Sequence, residues 1–135
     1  GAVLSDSARS ESSWWAWELR ARTAKDIDER HRIYLEGLKH FPGSVELIGN
    51  YALFLKNQKQ DYDGAEAQFK RALALDPNHV GNMGNYALFL KNQRKDYDAA
   101  EAMYKKALEL HPNHANTMSN YAVLLEERHR DFDGA

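Results

Sequence analysis

The sequence predicts an all-α protein, an α-solenoid of stacked antiparallel helix pairs, and three observations predict it. A block of residues repeats: the run from Asn50 to Gln58 stands again, letter for letter, at Asn85 to Gln93 and returns in altered form from Asn120 to Arg128. Each step is 35 residues, from Asn50 to Asn85 to Asn120, a period that marks a repeat architecture. Within each step the apolar residues recur at helical spacing in two segments. Tyr51, Phe54 and Leu55 mark the first; Ala65, Phe69, Ala72 and Leu73 mark the second. Punctuation separates the segments. Asp61 and Asp96 are well suited to accept from the open amides of a first helical turn, and Pro77 and Pro112 end the second helix by pushing the preceding residue out of the α region.

Taken in order, residues 1–43 read as a degenerate N-terminal capping repeat. Asp26, Asp28, Tyr34, Leu38 and Pro42 stand one step before their better-preserved counterparts, while Trp17 falls where later copies place alanine and Arg30 replaces the alanine equivalent to Ala65. The segment before Pro42 reads either as two helices or as one unbroken helix from Ser13 to His40. Trp14, Trp15 and Trp17 are expected to cover the first core layer, the competing reading being an exposed aromatic patch. Residues 44–78 and 79–113 are the two full repeats. Small Ala52, Ala65 and Ala72, with Ala87, Ala100 and Ala107 one step later, let paired helix axes approach closely. Residues 114–135 supply the first helix of a further repeat whose second helix has barely begun at Asp131-Phe132-Asp133. Its apolar residues Tyr121, Leu124 and Leu125 are expected to lack the partner that earlier copies have, so that the helix frays or is covered by a second copy of the chain. A two-helix unit cannot bury its stripe alone, so the units must stack.

The bulk properties suit this fold. The chain has 135 residues, 28% of them charged, and no cysteine; mean hydropathy is −0.72. Such a balance fits a helical protein with a large surface, and missing thiols remove disulfides and thiolate metal sites. A net charge of −2 exerts no long-range pull on phosphate, so nucleic acid is not an expected partner. No stretch approaches the ~20 apolar residues of a membrane helix, and no charged-then-apolar leader opens the sequence. The expectation is a cytoplasmic protein without membrane contact.

The spacing of Ala52, Ala65, Phe69, Ala72 and Pro77 resembles the tetratricopeptide repeat, and the resemblance covers nearly the whole chain. It implies a right-handed superhelix and a protein-interaction role. One departure is consistent. The usual unit has ~34 residues with one glycine between its helices, whereas here two residues stand there: Lys59-Gln60, Arg94-Lys95 and His129-Arg130.

In that family the first helices of successive units line a concave groove. The resemblance then places Gly49, Asn50, Leu53, Lys56 and Asn57 on it, followed by Gly84, Asn85, Leu88, Lys91 and Asn92, and by Ser119, Asn120, Val123, Glu126 and Glu127. Asn50, Asn85 and Asn120 form the sharpest feature, because a carboxamide both donates and accepts and can pair with one peptide unit of an extended ligand. The arrangement is similar to the asparagine ladder of O-GlcNAc transferase repeats; alternatively, each asparagine bonds a neighbouring helix. Lys56 and Lys91 are candidate anchors for an acidic side chain. The dicarboxylate clamp of chaperone adaptors is not reproduced, since Asn116 and Asn120 stand where the final unit would need cations, and Glu126 and Glu127 would repel a carboxylate.

Other chemistry finds no footing. His111 and His114 do not share a helix face, and the Asp61-to-Gly64 run fails the calcium-loop spacing. No nucleophile–base pair, metal cluster or phosphate loop appears. The expectation is therefore a non-enzymatic module without a cofactor that binds a protein or peptide. The rival is a structural segment that forms a homodimer or associates end to end.

Overall fold

The computed structural model describes residues 13–134, with side chains described through Arg130; the first twelve residues of the segment expected to cap the array lie outside that range. Among the described residues the structure is all-α, with seven helices: α1 (Trp14–Thr23), α2 (Ile27–His40), α3 (Val45–Asn57), α4 (Tyr62–Leu75), α5 (Val80–Arg94), α6 (Tyr97–Leu110) and α7 (Ala115–Gly134). None of them is long and apolar enough to cross a membrane.

The chain forms two compact units, the first ending at Leu75 and the second beginning at Asp76. In the first, α1 packs on α2 and α3 on α4, while α3 also lies against both α1 and α2. In the second, α5 pairs with α6, and α7 lies along α6 and touches α5. The cores are built from the predicted stripes. Ala52, Ala65, Phe69 and Ala72 are fully buried in the first unit, and Ala87, Phe89, Ala100, Tyr104 and Ala107 in the second. Each large side chain so buried contributes about 1.5–3 kcal/mol, and the alanines between them set how near the axes come.

Helix starts follow chemistry that was legible in part. Asp61 accepts from the Gly64 amide at 3.0 Å and Asp96 from the Ala99 amide at 3.1 Å, as predicted. Asp26 does the same for Glu29 at 2.7 Å. That cap, with Ala24 extended at ψ 147°, separates α1 from α2 and rules out one unbroken helix from Ser13 to His40. The first helices use a different cap. Ser44 holds the Leu47 amide, and one and two repeats later a histidine does this job: His79 Nδ1 accepts from Asn82 at 3.0 Å and His114 Nδ1 from Thr117 at 3.3 Å. An imidazole nitrogen accepts only when it carries no proton, so the cap fixes the tautomer with hydrogen on Nε2.

Three expectations are corrected. The tryptophans do not act together: Trp17 is buried and stacks on His40 at 5.0 Å, whereas Trp15 is 53% exposed. The turn expected at His129-Arg130 is absent as well, and α7 continues to Gly134. At the earlier turns Gln60 and Lys95 adopt left-handed φ of 50° and 56°, an unfavourable conformation for an L-residue that is repaid when a full second helix packs back. Leu124 also departs from its expected exposure, being completely buried, while Leu125 is exposed as predicted. Tyr121 is half-buried; its hydroxyl donates to Glu101 and its ring meets Tyr104 edge-on.

Candidate functional site

The predicted groove residues occupy the first helix of each repeat: Asn50, Leu53 and Lys56 on α3, Asn85, Leu88 and Lys91 on α5, and Asn120 on α7. Six of the seven are half-buried; Lys91 is buried. Half-burial suits a ligand-contacting side chain, since it holds the rotamer while leaving one edge open. The carboxamides of Asn50, Asn85 and Asn120 make no hydrogen bond among the described residues, so none is engaged in bonding a neighbouring helix.

In the first unit the structure brings Asn50, Leu53 and Asn57 together with residues that the sequence reading did not single out. Glu18, Arg22, Tyr34, Phe54 and Gln58 join them around a recess of about 170 Å³. Glu18 is its most constrained member, at 8% exposure. Its Oε1 accepts from Arg22 Nε at 2.7 Å and from the Tyr34 hydroxyl at 3.0 Å. Burial, and secondarily the Glu18 charge, pushes the Tyr34 phenol well above its ordinary range. Across the recess, Arg30 donates to Gln58 Oε1 at 2.9 Å. Glu18 and Arg22 could have been found by subtracting one period from Leu53 and Asn57. The register was in hand from Trp17 and Ala52, but a glutamate where later repeats place leucine gave no sign of a shared site.

The lysines divide. Lys56 has no ion-pair partner among the described residues, and burial alone holds its ammonium below the usual lysine range. Lys91 is already occupied: its Nζ lies 3.1 Å from Glu127 Oε2, with the lysine side chain only 7% exposed. A ligand carboxylate would have to displace Glu127, so Lys91 does not stand ready as an anchor. Next to this pair the Tyr104 phenol is pushed up to about 12, by burial first and by the Glu127 charge second.

A family profile of the tetratricopeptide repeat matches residues 45–79 and 82–114, and a second tetratricopeptide profile matches 103–135. The chain belongs to the tetratricopeptide repeat family. No curated protein sequence matches it, but solved tetratricopeptide structures resemble it in fold. The first tetratricopeptide domain of Spaghetti (RPAP3), bound to the HSP90 peptide SRMEEVD, superposes with a TM-score of 0.71 at 19% identity over 93% of this chain and 98% of that one. The Arabidopsis OM64 tetratricopeptide domain gives 0.71 at 16% identity over 87% of this chain and 98% of that one. The O-GlcNAc transferase of Thermobaculum terrenum (K341M mutant) gives 0.71 at 21% identity, over 91% of this chain but only 23% of that one. At these identities the likeness establishes the tetratricopeptide fold and not a shared ligand.

Proposed function

We propose that the chain is a protein-binding module that takes an extended polypeptide on the first-helix faces of its repeats. The observation that carries this reading is the three half-buried asparagines, Asn50, Asn85 and Asn120, at one repeat position and without a partner among the described residues. A free carboxamide at each step offers one donor and one acceptor to a ligand peptide unit irrespective of its side chain. The RPAP3 domain carries an acidic HSP90 peptide. In the present chain Glu18 sits in the first-unit recess and Glu127 already fills Lys91; a strongly acidic tail is not the ligand these faces favour.

The reading is tested by selecting binders from a random peptide display library and comparing their affinity for the natural chain and for Asn85→Ala. Loss of one hydrogen-bonding side chain should cost about 0.5–1.5 kcal/mol of binding with the melting temperature unchanged. Melting that falls by several degrees while affinity holds would make Asn85 a structural residue and remove the basis of the proposal.

Self-association is the second reading, and Met118, Val123 and Leu125 on α7 favour it. Each is more than two-fifths exposed, an unusual concentration on one short stretch.

A further inference from the structure

One carboxylate oxygen in the first-unit recess has no partner. Glu18 Oε1 holds Arg22 and Tyr34, but its Oε2 is buried without a hydrogen-bond donor among the described residues. A buried acceptor left in this state costs free energy that a donor would recover. Leu53 and Leu88 occupy the equivalent place in the next two repeats, so the carboxylate is peculiar to the first unit and packing does not require it.

The surrounding groups define what could bind there. Asn50 and Asn57 line the same recess with unpartnered carboxamides, and the Nη groups of Arg22 make no hydrogen bond among the described residues. Arg22 already compensates Glu18 at 2.7 Å, which leaves no net negative charge to hold an ammonium. A ligand carboxylate would meet the Glu18 oxygens and be repelled. An uncharged amide satisfies both sides: its N–H supplies the missing donor, and its carbonyl accepts from Arg22 or Asn57.

From this we infer that the recess is a subsite for a primary carboxamide, the side chain of a glutamine or asparagine in the bound polypeptide. The carboxamide N–H donates to Glu18 Oε2 and its oxygen accepts from the Arg22 guanidinium, with Leu53 and Phe54 covering the aliphatic stem. Arg22 lines the recess with a side chain that is 69% exposed, so its guanidinium can reach a bound carboxamide while keeping Glu18. The inference rests on the peptide-binding reading, but its test needs no long peptide.

The intact chain is titrated with the N-acetyl, N-methylamide derivatives of glutamine, glutamate and lysine while the side-chain resonances of Asn50, Asn57 and Arg22 are followed by NMR. Glutamine should bind roughly two- to tenfold more tightly than either charged probe, the span of one net hydrogen bond. Glu18→Gln keeps an oxygen for Tyr34 and Arg22 but turns the free acceptor into a donor, so it should erase the glutamine preference while amide dispersion and melting show an intact fold. Arg22→Gln should weaken the glutamine response independently. Stronger binding of lysine or glutamate, absence of any glutamine response, or an unchanged preference in Glu18→Gln would each overturn the subsite. Displayed peptides that bind through Asn85 without glutamine or asparagine enrichment would overturn it while leaving the wider binding reading intact.

Discussion

Trp17 lies so close to Gly37 that a Cβ on the glycine would come within 2.9 Å of Trp17 Cβ and 3.0 Å of Cγ. One and two repeats later the same two places hold Ala52 with Ala72 and Ala87 with Ala107, all fully buried. The pair α1 and α2 thus replaces two alanines by one large and one minimal residue, keeping the helices together while the indole stacks on His40. Gly37→Ala should destabilise by about 1–3 kcal/mol through overpacking, despite alanine's better helix propensity. Trp17→Ala alone should cost about 3–5 kcal/mol. The double variant, which restores the pair found in later repeats, should fall short of the sum by at least ~0.5 kcal/mol. Urea melts of the four proteins measure this coupling, and strict additivity would show that the two residues do not share one space.

Gln60 and Lys95 hold the left-handed position that glycine ordinarily takes after a helix, and the next amide closes each turn: Asp61 N donates to Leu55 O and Asp96 N to Leu90 O, both at 2.9 Å. Lys95→Gly should therefore stabilise by about 0.5–1 kcal/mol, the relief of left-handed strain less the added freedom of the unfolded chain. Gln60→Gly should gain less, because the Gln60 side chain donates to Asn57 O at 2.8 Å. Lys95→Ala serves as the control and should show no gain. Thermal melts that rank alanine with glycine would refute the strain argument.

The helix pairs were legible because their cause is local and occurs several times: a stripe at helical spacing, an aspartate cap and a proline stop, each confirmed by its copy. The contrast between exposed Ala102 and buried Ala107 follows from the same spacing. What escaped the sequence reading depends on partners far apart in sequence. Lys91 finds Glu127 on a helix one repeat later, and Glu18 acquires its role only when α3 lies against α1. The histidine caps escaped for another reason: His79 and His114 accept through a ring nitrogen, a function more often met in serine, threonine, aspartate or asparagine.

Lys91 is buried with Glu127 as its counter-charge, and the two should respond unequally to substitution. Glu127→Gln strands a buried cation and should cost about 1–3 kcal/mol, less than for a fully buried pair because the carboxylate is about one-third open to water. Lys91→Met removes the charge together with its desolvation cost and should be milder, since an apolar side chain of similar length can fill the space. Denaturant melts at low and high salt distinguish the two. A larger loss for Lys91→Met than for Glu127→Gln would mean that the ammonium makes a contact more important than the ion pair.

Adjacent residues on α7 should behave in opposite ways. Leu124 is completely buried, so Leu124→Ala should cost about 2–5 kcal/mol, and Leu124→Glu should unfold the second unit. Leu125 is 42% exposed and Met118, two helical turns earlier, is 52% exposed; at this spacing they share one face. If that face mediates self-association, Leu125→Glu should change stability by less than about 0.5 kcal/mol yet abolish the concentration dependence of sedimentation between micromolar and millimolar protein. The dependence itself should be modest, since two or three half-exposed side chains supply far less area than the ~1,200 Å² of a stable interface. A symmetric contact through this face closes as a dimer and stops there, whereas a head-to-tail contact keeps growing; the sedimentation profile at the highest concentration separates them. A chain that sediments as a monomer throughout, with or without Leu125→Glu, leaves the exposed α7 residues as ordinary surface and removes the self-association reading.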